Sequence, residues 1–172
     1  METTPRLGFL TVQLEGAAAI GALLVTNHWG RPLEFHVTQP VQPTKLQQIL
    51  YGPTLPIYLF CDIIGRALLE KVEAPLNLLI TDFPEGLHCA TYTDSPTVYV
   101  SAELETGRKS NFTLVVERST CRIYTGQSNP EYMGRVSNTL QQVENLDLLE
   151  PFDRIREAIR ESRRLGVISR AA

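Results

Sequence analysis

Cysteine is scarce in this chain and odd in number. Cys61, Cys89 and Cys121 are the three present, and no two form a CxxC pair. A disulfide framework needs an even set and a four-ligand zinc site needs paired spacing, so both are excluded. The expected state is reduced, mostly buried thiols. Long hydrophobic runs are missing too. The longest strongly apolar stretch, Leu55 to Cys61, contains a proline and stops at Asp62, whereas a membrane-spanning helix needs about 20 apolar residues. The first residues, METTPRLGF, lack the basic flank and apolar block of a secretory leader. The expectation is a cytoplasmic protein, most simply bacterial, with no membrane partner.

There is no basic excess. Lys and Arg number 16 against 19 Asp and Glu, a net charge of −3. The sum does not advertise a nucleic-acid binder, although local patches outweigh sums. No GxxxxGK[ST] occurs, and no GxGxxG follows a strand. A glycine loop cradling phosphate is therefore excluded, and no cofactor is expected. His28, His36 and His88 share no short ligand spacing, so they predict no metal centre. His88 and Cys89 are adjacent. In an extended segment their side chains would point to opposite faces, which argues against a catalytic dyad. No catalytic residue is assigned on these grounds.

What is present describes a globular chain. The 172 residues are 43% hydrophobic and 20% charged, enough for one domain over 1–172 with a sizeable core. Leu7 to Glu15 and Ile20 to Asn27 predict two strands joined as a hairpin. Leu33 to Thr38 alternates, with Leu33, Phe35 and Val37 on one face and Glu34, His36 and Thr38 on the other. Thr44 can cap a short helix, roughly Lys45 to Tyr51. Tyr51-Gly-Pro-Thr-Leu-Pro56 then interrupts it, and a second helix runs to about Val72. This predicts a broken central helix pair with a corner between. Asn77 to Thr81 predicts a buried strand, and Asp82 to Gly86 a turn. Thr97 to Glu103, Asn111 to Glu117 and Cys121 to Tyr124 predict three more strands. Gly126 to Gly134 reads as irregular. Helices follow at about 136–165, the last opened by the capping-box spacing Asp147-Leu-Leu-Glu150. The fold class is α+β, a mostly antiparallel sheet with a broken central helix pair and C-terminal helices.

Three groups of residues are candidates for function. His28, Trp29 and Arg31 in one loop, with Tyr51 at the helix corner, are residue types enriched at protein interfaces. Both alternating sets of the first two strands carry apolar members, so both sheet faces need covers. One cover is expected to be another chain. The leading expectation is accordingly a non-catalytic binding or structural subunit of a cytoplasmic complex, with a protein partner or homo-oligomer. Arg156, Arg160, Arg163 and Arg164 on the last helix form the second group, suited to phosphate and hence to nucleic acid. Asp82, Glu103 and Glu105 form the third. Carboxylates at strand ends resemble the Mg²⁺ ligands of restriction-enzyme-like nucleases. That pattern supplies a lysine two residues after the glutamate, where this chain has Glu105. A metal-dependent hydrolase or nuclease is the alternative reading.

Overall fold

The computed structural model describes residues 4–103 and 112–169. Strand β1 (Leu7–Glu15) pairs antiparallel with β2 (Ala18–Thr26), and β2 with β3 (Pro32–Val37). The first turn needs only Gly16 and Ala17 because Gly16 takes φ +57°, a conformation that costs glycine little. The chain then crosses to the other side of β1. Strand β4 (Leu78–Thr81) runs parallel to β1, and β5 (Thr97–Ser101) parallel to β4. Strands β6 (Thr113–Glu117) and β7 (Arg122–Thr125) form a hairpin whose β7 joins β5 antiparallel. The sheet order is β3-β2-β1-β4-β5-β7-β6. The sheet is mixed and mostly antiparallel, as the sequence predicts.

The helix pair is different from the expectation. Helical turns run from Lys45 to Leu69 and change type along the way. They are α1 (Lys45–Tyr51), a 3₁₀ turn (Gly52–Thr54), α2 (Leu55–Ile57), a π-helical segment (Tyr58–Gly65) and α3 (Arg66–Leu69). Gly52, at φ +49°, bends the path, but no corner separates two regular helices. Pro53 sits at the start of the 3₁₀ turn and Pro56 at the start of α2, positions where a missing N–H costs little, so neither ends the helical path. By length and composition alone this stretch is apolar enough to cross a membrane. Its second half packs on the sheet through Leu59, Ile64 and Leu68. That approach requires Gly21 on β2, where a Cβ would lie 2.0 Å from Ile64 Cγ2.

The opposite face of the sheet carries α4 (Pro130–Gln142) and α5 (Glu150–Arg164). Helix α4 begins earlier than periodicity suggests, because the Asn129 side chain caps it by accepting from Tyr132 N–H at 2.8 Å and Pro130 fits its first turn. Asp147 caps the approach to α5, accepting from Leu149 N–H at 2.9 Å. Val136, Leu140, Phe152, Ile155 and Ile159 bury against Phe9, Ile80 and Val98. Both faces of β1 and β2 are thus covered by this chain itself.

One arginine closes the end of α4. Arg118 donates from Nη2 to the Leu140 carbonyl at 2.8 Å and from Nη1 to the Val143 and Leu146 carbonyls at 3.2 Å. The Leu140 and Val143 carbonyls also accept from the Val143 and Leu146 N–H groups at 3.3 and 3.0 Å, and the guanidinium adds a second bond to each where the helix's own ladder runs out. Arg118→Ala is expected to lower stability by about 2 kcal/mol, read as a shifted urea midpoint. A lysine there restores only part, because it lacks the planar fork.

Candidate functional site

In an open sheet with parallel strands, a crevice forms where connections from neighbouring parallel strands leave in opposite directions. Here that point lies between β1 and β4. From β1 the chain turns toward β2, and from β4 it turns toward β5 through a 3₁₀ segment, Pro84–Tyr92. Asp82 stands at the carboxyl end of β4, directly at this point. Leu10 pairs with Thr81, so Thr11 of β1 is the neighbour of Asp82. Helix α5 runs above β1 on the same face. Its contacts follow the strand in order: Phe152 on Phe9, Arg156 on Asp82, Arg163 on Glu15.

Asp82 is therefore held by groups from three elements. The Thr11 hydroxyl donates to it, Arg156 Nη2 forms an ion pair with Oδ2, and its own backbone N–H contributes. Its side chain keeps 14% of its exposure, against 45% for Arg156. Burial is the largest influence on its acidity and outweighs the hydroxyl and the guanidinium, so the carboxyl titrates above its ordinary range. A half-exposed guanidinium beside such a carboxyl can donate to a phosphate oxygen. The carboxylate, once ionised, can accept a proton from a water.

Among the described residues the carboxylates of the metal reading do not come together. Among the described residues, no three His, Cys, Asp or Glu side chains converge where they could hold a metal ion. Glu103 is exposed beyond β5, its N–H held by Ser101 Oγ at 3.2 Å. Glu105 lies outside the described residues. A hard divalent cation takes several oxygen ligands. The described crevice offers one carboxylate, already engaged by a guanidinium, and so does not fit one.

The arginine helix is neutralised by its own neighbours. Arg160 pairs with Glu157 at 3.6 Å and Arg164 Nε with Glu161 at 2.9 Å, both at the surface. Arg163 pairs with Glu15. Of the four, Arg156 alone contacts Asp82. The Arg160 and Arg164 pairs are exposed enough to be worth little and to exchange readily for another anion.

The two candidate contact segments, the His28–Arg31 loop and Tyr51, lie at opposite ends of the sheet. The loop of His28, Trp29 and Arg31 follows the end of β2 paired with Leu7. It is shaped by Asn27, whose Oδ1 accepts from Trp29 N–H and Arg31 N–H at 3.0 Å. Trp29 stacks obliquely on His28 at 4.1 Å, and Arg31 lies 5.8 Å from its ring centre. Tyr51 stacks on Tyr58 at 3.9 Å, near the far end of β1. The nine-residue strand between them spans about 27 Å. Alternation also misleads at β3. Its apolar Leu33 and Phe35 are exposed, while Glu34 is drawn into a cluster with Arg6, His36 and the Glu73 N–H. His88 and Cys89 lie in 3₁₀ turns, so the extended-chain argument about them does not apply. Cys89 is buried against the Cys61 thiol, which together with burial pushes its pKa far up and leaves it unreactive.

The class this topology defines is a mixed sheet with a switch-point crevice between its central parallel strands and helices on both faces. Comparison with solved structures finds likenesses at low sequence identity. *Ciona intestinalis* Endonuclease V, in complex with a 24mer DNA containing an inosine followed by a ribo-adenosine, superposes with TM-score 0.50 at 12% identity, over 79% of this chain and 77% of that one. *Bacillus subtilis* Endonuclease V gives 0.43 at 12% identity over 80% and 71%. *Marinitoga piezophila* Argonaute with a 5′ OH guide RNA gives 0.45 at 9% over 88% of this chain and 27% of its own. No family model and no curated protein matches the chain. The likeness to the *Ciona* enzyme shows a shared fold.

These findings overturn the expectation of a non-catalytic complex subunit. That expectation rested on absent motifs, a one-domain length and a sheet face left for another chain to cover. This chain covers both faces itself, and its fold is shared with a nuclease.

Proposed function

We propose that this chain processes nucleic acid as a nuclease-type protein, with a phosphodiester strand lying across the β1–β4 crevice. The observation that carries this reading is the meeting of Asp82, Thr11 and Arg156 at the switch point of a fold shared with a DNA-bound endonuclease. Arg156 donates to a phosphate oxygen. Asp82 is the proton acceptor for an attacking water. No step is assigned to a metal ion.

The test uses labelled single-stranded and duplex oligonucleotides, with and without inosine. It is run with Mg²⁺, Mn²⁺ or a chelator. Binding is expected to weaken steeply with salt, as phosphate contacts require. Arg156→Ala should weaken it about tenfold, whereas Arg160→Ala, whose residue sits outside the crevice, should change it little. Strand cleavage is expected, with Asp82→Ala removing it. Binding that ignores salt, or no binding at all, overturns the proposal. Binding without cleavage keeps the nucleic-acid partner and removes the hydrolytic role.

A further inference from the structure

Strand β3 ends the sheet. Among the described residues its one sheet neighbour is β2, so its second edge has no strand beside it. The ladder shows which groups face that edge. Thr38 N–H donates to the Gly21 carbonyl at 2.9 Å, and from there Leu23 pairs with His36 and Val25 with Glu34. Alternate residues of an antiparallel strand bond to a given neighbour. Glu34, His36 and Thr38 therefore turn their N–H and C=O groups toward β2, and Phe35 and Val37 turn theirs outward. The ladder slips only before Glu34, where Val25 gives way to Thr26. The side chains add an apolar strip. Leu33 and Phe35 are 47% and 38% exposed, in line with Val37, which packs at the rim of the core under α5. Open edges of natural sheets are usually blunted by lysine or by a proline inside the strand. Strand β3 has no Lys or Arg, and its proline is its first residue.

The order of residues along the strand selects the occupant. Read in either direction, Leu33-Glu34-Phe35-His36-Val37 has apolar ends and an aromatic centre, and reversal exchanges its acid for its base. Residues directly opposite one another decide whether an antiparallel pair is favourable. Pairing with a second copy about Phe35 sets Leu33 against Val37, Phe35 against Phe35, and Glu34 against His36 on the other face. The outward N–H and C=O of the two Phe35 residues then exchange hydrogen bonds at the axis, as that register requires. A register centred on Glu34 sets two carboxylates together and turns its backbone groups the wrong way. The strand is thus complementary to itself in backbone, in apolar contact and in charge, and in one register.

We propose that β3 is a homodimer edge, paired antiparallel with β3 of a second copy about a twofold axis at Phe35, so that one sheet runs through both chains. The proposal is independent of the reading of the Asp82 crevice, which lies between β1 and β4, inside the sheet. Sedimentation equilibrium of the full chain over a range of concentrations is expected to give twice the chain mass, falling on dilution. Phe35→Lys and Phe35→Glu chains, with folding checked by circular dichroism, are each expected to give the single-chain mass, because each sets like charges together at the axis. An equal mixture of the two is expected to recover dimers. Mild oxidation reads the register, since Cys61, Cys89 and Cys121 are buried. Phe35→Cys chains are expected to link into covalent dimers. Leu33→Cys chains are not, because the two substituted positions stand about 13 Å apart along the strands. A single-chain mass for wild type at every concentration overturns the proposal and leaves the edge to a strand of another protein. A dimer that Phe35→Lys leaves intact overturns it too, as does linking of Leu33→Cys chains as readily as Phe35→Cys chains.

Discussion

Replacing Asp82 by asparagine is expected to slow strand cleavage about a hundredfold or more while leaving the melting temperature at neutral pH unchanged or higher. The two effects have one cause. Burial of the Asp82 carboxyl raises its pKa more than Thr11, Arg156 and its own N–H lower it. The ionised form is therefore a net cost to the fold. With the folded pKa above the unfolded one, the protonated carboxyl contributes stability that is full below the ordinary carboxylate range. That contribution is lost as pH rises through the folded value. Asparagine has no charge to desolvate, so the variant's advantage should grow across the same window. Arg156 loses a partner but is half exposed and keeps Asp153 at 3.2 Å. Cleavage needs the ionised carboxylate, so the wild-type rate should climb with pH through a value above the usual carboxylate range. Melting curves and rates from acid to neutral pH, on wild type and variant together, decide the matter. A variant that melts well below wild type at neutral pH would make the Asp82–Arg156 pair a net stabiliser. Retained cleavage would remove Asp82 from the chemistry.

Phe152→Ala is expected to cost about 3–5 kcal/mol, the largest stability loss at any single position considered. Phe152 is 1% exposed and meets Phe9 edge-on, with ring centres 5.6 Å apart and planes at 81°. It is the first large apolar contact of α5 with β1, one turn before Arg156. Truncation leaves a cavity under the helix and loosens the element that brings Arg156 to Asp82. Salt-sensitive binding should therefore fall together with stability. Phe152→Leu keeps most of the volume and should cost about 1 kcal/mol, with binding largely kept. Urea unfolding of both variants, beside binding at one salt concentration, separates the two consequences. A loss below about 1 kcal/mol for the alanine variant would mean that α5 is not docked through Phe9.

Much of the local structure was legible in the residues. The seven strands follow from alternation or apolar runs bounded by turn residues. The end helix follows from Asp147 and from Phe152, Ile155 and Ile159 at helical spacing. These signals are local: a strand or helix needs only its own pattern to declare itself. From Lys45 to Leu69 proline after glycine signals a break, while packing on Gly21 and the sheet favours continued helical turns of changing type. Helix α4 was started late because Asn129-Pro130-Glu131, a capping signal, sits within a segment otherwise rich in turn formers. Alternation puts Glu34 and His36 on one face of β3, but only the fold brings Arg6 and the Glu73 N–H to the same carboxylate.

The candidate site was legible only in pieces. Asp82 stands out at the end of an apolar strand, and Arg156 on a helix rich in arginine. Nothing in either neighbourhood joins them, because 74 residues separate the two in sequence. Thr11 carries no signal, being one more residue of an apolar strand. The sequence by itself determined which segments become strands and helices, which faces are apolar and which motifs are missing, since these depend on neighbours a few residues apart. Strand order, the placement of β4 beside β1 and the laying of α5 over β1 were decided only by the tertiary structure. Those choices come from the simultaneous burial of many distant apolar faces, and they turn an isolated aspartate and a solvated arginine into one crevice.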